Sequence, residues 1–441
     1  MKIRNTSIFI FLAALLSFSA CKKEDDPILQ DPDSRLSEYL ASSLAFLTEA
    51  PHGYKASLET VDGKTFALFM QFDSEGRVHM LSDFTDAASG TLGSSSYRLK
   101  ALQRPSLLFD TYNYISVFAD PQNSVNGGTN GQGLKGDNDF SFVKFSGDTV
   151  VLQGNKNASI LTLIRANETE EEAFIGGQLQ TSRENLRAFL QSNSNLYVAN
   201  GADKVAFAID VNNRTVTLSK LEADGTTISS VSSSFAYSPE GIVPAQLTIN
   251  NASVQAIAWN ANTNSYTMRT NGSTSAVESN PTPVFPLYLQ FGFNKTYSTI
   301  GTTTNSLPAG VSSVFNEVWS TLNANFTSTN RAIRYMEFKI ISETQATLSV
   351  YYSSGTSNFV ADMSFNYSLQ QNLLTLSNAR RDYSNGNWTT RLAQLRVLEE
   401  YILKGPFLLD WIDSSSSAVT VPLGGIRLQS DSQSFLYGFL K

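Results

Sequence analysis

Among 441 residues the chain has one cysteine, Cys21, and two histidines, His52 and His79. A lone thiol builds no disulfide framework, so packing and hydrogen bonds must hold the fold together. The two histidines have no H-E-x-x-H spacing, which argues against a zinc protease site, and His79, flanked by Val78 and Met80, reads as a strand residue. No G-x-S-x-G elbow is present. Basic residues are outnumbered, 32 against 39 acidic ones, and they are dispersed, so no basic patch offers itself to a nucleic acid. No metal site, cofactor site or catalytic residue emerges from these counts.

At the N-terminus, Lys2 and Arg4 precede an apolar run from Ile8 to Leu16, and Phe18-Ser19-Ala20-Cys21 follows. The run is too short to remain in a bilayer as a helix and has the build of a cleaved export signal. Its end resembles a bacterial lipobox, in which Cys21 becomes the first mature residue and carries the lipid; Phe18 stands where leucine is usual. Cleavage would remove two basic residues and take the formal charge from −7 to −9. Lys22-Lys23-Glu24-Asp25-Asp26 resembles the acidic signal that sends lipoproteins to the outer face of an outer membrane. The segment KKEDDPILQDPD has no apolar period and spans about 40 Å when extended, a tether.

What the chain does have is alternation. KTFALFMQFDSEGRVHML places Phe66, Leu68, Met70 and Phe72 on one face, breaks at Asp73-Ser74-Glu75-Gly76 and resumes at Val78, the pattern of a β-hairpin. SLLFDTYNYISVF, FSFVKF-SGD-TVVLQG and ILTLI extend the same reading to seven or eight antiparallel strands between residues 54 and 165. Helical stripes are few: Asp33 to Glu49 with Leu36, Leu40, Leu44 and Leu47; a capping box at Thr181 and Glu184; Val311, Phe315, Val318 and Leu322; and Thr390 to Leu403. The expected fold is mainly β, with tandem antiparallel barrel- or sandwich-like domains and a few short amphipathic helices.

DKVAFAIDVNNRTVTLSKLEADG and EFKIISETQATLSVYY echo the first hairpin, and SFAYSPEGIVPAQLTIN echoes SYRLKALQRPSLLFDTY, so a helix-plus-meander unit is used at least twice. Composition suggests a signal peptide over 1–20, a tether over 21–33, an N-terminal helix and meander over 34–165, a middle β domain over 166–300 and a C-terminal α+β region over 301–441, either separate from the middle domain or continuous with it. ANETEEEAFIGGQ reads as an acidic junction, and Phe285, Leu287, Leu289 and Phe291 alternate as a strand would.

Gly131, Gly133 and Gly136 spell G-x-G-x-x-G, a dinucleotide fingerprint. The residues after it, FSFVKF, form a strand instead of the helix that a pyrophosphate needs, and no acid stands near Lys156 for a ribose. A P-loop fails because Gly136 follows Lys135. A calcium loop through Asp137, Asp139 and Asp148 fails at Phe142, where glycine is required. A polar connection between antiparallel strands fits better. Trp259, Trp319, Trp388 and Trp411 are candidates for stacking on a sugar, against a packing role.

The runs SSYRLKALQRPSLLFDTYNYI, SVNGGTNGQGL and FSFVKFSGDTVVLQGNKNASILTLIRA resemble the Bacteroidetes lipoproteins that share domain of unknown function 4302. The resemblance implies a surface lipoprotein encoded near SusC/SusD-type uptake systems, and it carries no catalytic residue over. Asp148-Thr149-Val150 resembles the O-glycosylation motif of that phylum. The resulting expectation is an outer-membrane lipoprotein anchored through Cys21 and facing the exterior. It would act as a non-enzymatic binding or accessory component of nutrient uptake with a glycan or peptide ligand. A hydrolase with paired carboxylates and a structural adhesin are the alternatives.

Overall fold

The structure, a computed structural model, describes residues 31–441 except 202 and 250. Cys21, the export signal and most of the tether lie outside the described residues. The chain divides into two compact units, one ending at Gly177 and the other running from Gln178 to Lys441.

The first unit opens with α1 (Pro32–Thr48), started by Asp31, whose carboxylate accepts from the backbone N–H groups of Asp33 and Ser34. Leu47 and Ser43 turn inward, while Leu44, expected on the same stripe, is 39% exposed. Eight strands follow: β1 (Tyr54–Glu59), β2 (Thr65–Phe72), β3 (Arg77–Ser82), β4 (Gly93–Ala101), β5 (Pro105–Phe109), β6 (Asp139–Ser146), β7 (Thr149–Gly154) and β8 (Ile160–Arg165). Each pairs with the next, and β8 returns to β1 with Tyr54 opposite Arg165 and Glu59 opposite Ile160, so the meander closes into a barrel and leaves no edge. Phe66, Leu68, Met70 and Phe72 all point into its core, as their alternation predicts.

SLLFDTYNYISVF is not a hairpin. Only its first half is a strand; the Asn113 side chain accepts from the Ile115 N–H at 2.9 Å and turns the chain into a 3-10 turn, Ser116–Ala119. Ile115 and Phe118 then enter the barrel core. The acidic junction is a helix, α2 (Glu168–Ile175), with a capping box formed by Asn167 and Glu170. The capping box expected at Thr181 and Glu184 does not form, because both residues sit inside α3 (Gln178–Ser192).

After α3 the second unit repeats the plan with β9 (Leu196–Asn200), β10 (Asp203–Asp210), β11 (Thr215–Leu221), β12 (Ile228–Ser238), β13 (Gly241–Pro244), β14 (Thr248–Ile249), β15 (Ala252–Asn260), β16 (Ser265–Thr270) and β17 (Thr274–Ser279). β17 pairs back to β9, and a short pairing of Gly241 with Ala258 and of Ile242 with Ile257 joins β13 to β15, so eight of the nine strands form a ring. Gly241 permits that closure. Its φ is +152°, and a Cβ there would stand 2.1 Å from the Ile257 carbonyl oxygen. Gly241→Ala is expected to lower the unfolding free energy of this unit by about 2–4 kcal/mol, read from the denaturant midpoint of the second unit.

The third ring runs from β18 (Thr299–Gly301) through β19 (Arg331–Ile340), β20 (Gln345–Ser354), β21 (Ser357–Gln370), β22 (Leu373–Arg381), β23 (Phe407–Ile412) and β24 (Leu423–Leu428) to β25 (Phe435–Leu440), which pairs with β18. Here the helix α4 (Phe315–Thr327) follows the first strand instead of preceding it. Phe315, Trp319, Leu322 and Phe326 are its buried face, and Phe315 packs on Tyr401 of α5 (Leu392–Ile402) with ring centroids 4.9 Å apart. Phe285 to Phe291 does not form a strand; Leu287–Leu289 is a 3-10 turn, and the Tyr288 hydroxyl donates to the Gly225 carbonyl at 2.6 Å. The three hairpins that echo one another occupy the second and third strands of their rings, and the looser pair of echoes occupies the fourth and fifth strands of the first two.

Candidate functional site

The glycine loop connects antiparallel β5 and β6, and its donors face inward. Every backbone N–H from Gly127 to Gly136, except that of Asn130, donates to a group of the protein itself. A phosphate cradle needs several such groups free and converging, and the single N–H of Asn130 does not make one. Gly128 and Gly133 let two stretches of backbone touch: a Cβ on Gly128 would lie 2.2 Å from the Gly133 carbonyl oxygen. Leu134 is carried into the barrel core, and Lys135 closes the loop onto Asp62 at 2.7 Å.

Asp137, a candidate calcium ligand, is 3% exposed and already occupied. Its carboxylate accepts from the N–H groups of Lys156, Asn157 and Ser159 at 2.9, 2.8 and 3.2 Å and from the Ser159 hydroxyl at 2.6 Å. That arrangement shapes the β7–β8 turn. Among the described residues no group of three or more histidine, cysteine, aspartate or glutamate side chains is placed to hold a metal.

The two histidines, unrelated in sequence, reach one patch on the outer wall of the first barrel. His52 Nδ1 lies 2.7 Å from Glu171 Oε2, Gln71 Nε2 donates to the other oxygen of Glu171, and Gln71 stands opposite His79 across β2 and β3. Lys55 pairs with Glu170 beside them, and Phe69 stacks on Phe174 at 5.0 Å. These contacts fasten α2 to the barrel. Glu171 is 119 residues from His52 in sequence, so no local spacing could reveal the pair.

The tryptophans pack. Trp388 is fully buried and donates to Glu399 Oε2 at 2.6 Å; Trp319 donates to the Asn305 carbonyl and Trp411 to the Phe285 carbonyl. Trp259 packs at a tilt against Tyr266, with centroids 5.1 Å apart. In the Asp148-Thr149-Val150 motif, Thr149 is half-exposed at the start of β7 and Val150 is buried in the core.

A cleft of about 590 Å³ lies over β5, β6 and β7, between the β4–β5 turn and the β7–β8 turn. Leu107, Phe140, Phe142 and Leu152 point into the barrel, so their neighbours Ser106, Ser141 and Gln153 lie on its outer side; Gln153 is half-buried at the cleft, while Ser106 and Ser141 are buried beneath it. Three of its groups are already joined: Ser106 Oγ and Ser141 Oγ are 3.1 Å apart, Ser141 Oγ donates to Asn155 Oδ1 at 2.6 Å, and Asn155 Nδ2 lies 3.4 Å from Ser106 Oγ. Arg104 and Gln153 complete the polar wall, and Leu102, half-exposed, forms an apolar rim. The exposed Asn155 amide and Arg104 guanidinium can exchange hydrogen bonds with a polar ligand, while the buried Ser106 and Ser141 hydroxyls hold Asn155 in place. Sequence reasoning missed them because serines on strands and an asparagine in a turn carry no motif.

The protein is thus a mainly β protein of consecutive eight-stranded rings with short helices between them and a polar cleft on the wall of the first. The chain belongs to the family defined by domain of unknown function 4302 (DUF4302), whose model matches residues 24–261, more than half of its length. That match takes in the first ring and most of the second. No curated protein matches the chain.

Proposed function

We propose that the protein is a lipid-anchored, outward-facing lipoprotein of an outer membrane, serving as a non-enzymatic binding component beside a SusC/SusD-type uptake system. The lipobox-like Phe18-Ser19-Ala20-Cys21 and the acidic segment behind it support the anchor and its direction. The observation that carries the binding role is the set of linked hydrogen-bonding groups at Ser106, Ser141 and Asn155, oriented by one another before any ligand arrives. Amide and guanidinium groups of Asn155, Gln153 and Arg104, the first held in place by the buried serines, beside an apolar rim suit a glycan, whose hydroxyls both donate and accept.

Two measurements test this reading. Cys21→Ala is expected to abolish palmitate labelling and release the protein from the outer-membrane fraction; continued labelling would refute the anchor. In calorimetric titration against neutral oligosaccharides, Asn155→Ala is expected to weaken binding about tenfold, by removing one side of the linked set. Equal affinity of the two proteins would remove the cleft from the proposal.

A further inference from the structure

The wall of the second ring has a gap. β13 pairs with β12 only from Phe235 to Ser238, and the last backbone–backbone bond between the two segments runs from Ala245 N–H to the Ser234 carbonyl at 2.8 Å. The chain then peels away: Gln246 N–H donates to Ser233 Oγ, and the Leu247 carbonyl accepts from Val254 N–H, so Thr248 and Ile249 pair with β15 instead of continuing along β12.

Alternation fixes which way each backbone group points. Phe235 N–H donates toward β11, to the Arg214 carbonyl, while the Ser234 carbonyl faces the other side. Residues two apart share a side, so Ser230 and Ser232 present N–H and C=O groups to the gap. Across it, Leu247 points its backbone at β15 and Thr248 consequently points away from β15. Among the described residues, no group hydrogen-bonds to the backbone N–H of Ser230 or Ser232.

The gap is a cleft of about 440 Å³, with Ser230 and Val231 on one side, Thr248 and Ile249 on the other, and Val205 and Leu218 at its floor. Val205 and Leu218 belong to the buried core. Val231 stands opposite Leu218 and faces the same way, into the ring, yet it is 45% exposed. An inward-facing valine left open beside unpaired backbone marks a place where one strand is missing.

We propose that this slot takes up an extended peptide supplied from outside the chain, which adds as a strand between β12 and β14 and completes the wall. The peptide would hydrogen-bond to Ser230 and Ser232 on one edge and to Thr248 on the other, the recognition mode of β-strand addition. Alternate side chains would turn inward onto Val231, Leu218 and Val205, so apolar residues are required at every second position. The open part of β12, Ile228 to Ser233, is about 20 Å long at the strand rise of about 3.3 Å per residue, which sets the occupant at four to six residues. The site is separate from the cleft at Ser106 and holds whether or not that cleft binds a glycan.

Hydrogen–deuterium exchange resolved to single residues tests it on the whole mature chain. The probes are a library of acetylated, amidated pentapeptides with valine at alternate positions and its counterpart N-methylated at alternate residues. With the first library, the amides of Ser230 and Ser232 are expected to exchange at least about tenfold more slowly; with the second, no more than in the free protein. Ser230→Pro removes a donor that faces the gap and leaves the β11–β12 ladder its bonds, so it is expected to abolish the protection at Ser232. Should that variant misfold, the two libraries on the unaltered protein still decide. Protection already present in the free protein, no protection with either library, or equal protection with both would overturn the proposal.

Discussion

Glu399→Ala is expected to cost the third ring about 3 kcal/mol. Glu399 is 7% exposed, and its two oxygens hold two partners: the Arg381 guanidinium in a two-pronged pair, with the shortest contact 2.6 Å, and Trp388 Nε1 at 2.6 Å. Removing one member of a buried pair costs about 3–5 kcal/mol, because its partner stays behind without compensation. Arg381 is 42% exposed at its side chain and can rehydrate, which argues for the lower end. Trp388, fully buried, cannot, and its indole N–H is left without an acceptor. Guanidinium unfolding followed by tryptophan fluorescence measures the loss.

The same residue sets a pH dependence. Hydrogen bonds from Arg381 hold the Glu399 carboxyl below its ordinary value near 4.5. A group whose pKa is depressed by folding stabilises the folded state fully above its unfolded pKa and loses that contribution as pH falls through the folded one. Glu399→Gln keeps an oxygen for Trp388 and has no proton to gain. The stability difference between the native protein and Glu399→Gln is therefore expected to be constant near neutrality and to shrink below about pH 4.5. A difference that stays constant into acid would show that Arg381 does not act through the charge of Glu399.

Asp137→Ala is the second large loss, again about 3 kcal/mol, since it removes a buried carboxylate that holds three backbone N–H groups and the buried Ser159 hydroxyl. Gly154 is tied to it: a Cβ there would meet Asp137 Oδ2 at 1.9 Å, so Gly154→Ala expels the same carboxylate. The double variant should consequently lose less than the two single losses combined. Asn155 and Ala158, which line the polar cleft, belong to this turn. Oligosaccharide binding should fail in Asp137→Ala at temperatures where the barrel is still folded, and titration beside circular dichroism would show the two losses separately.

How far these features were legible in the sequence depends on their range. The alternation of Phe66, Leu68, Met70 and Phe72 is a local consequence of a pleated strand with one face in a core, and it placed the first barrel correctly. Phe69 is also buried, because Phe174 of α2 covers it from outside, and no pattern within β2 signals that. SLLFDTYNYISVF has the composition of a hairpin, yet Asn113 bends it into a plug; a single side-chain acceptor outweighed the alternation. The linked set at Ser106, Ser141 and Asn155 exists only after β5, β6 and the β7–β8 turn have met. The glycines of the β5–β6 loop carried a misleading pattern, since its meaning turns on where each N–H points, which letters do not encode.

The order of strands in the third ring bears on how the chain is made. A chain emerges N-terminus first, and the first ring holds all its strands once Arg165 is out. Like the first ring, which closes β1 against β8, the third closes β18 against its last strand, β25, and it remains an open sheet with one flank of β18 bare until that strand arrives. The interval before Phe435 to Leu440 arrives is the one in which this protein is most exposed to pairing with a neighbour, and a chaperone that guards a sheet edge would be of most use there.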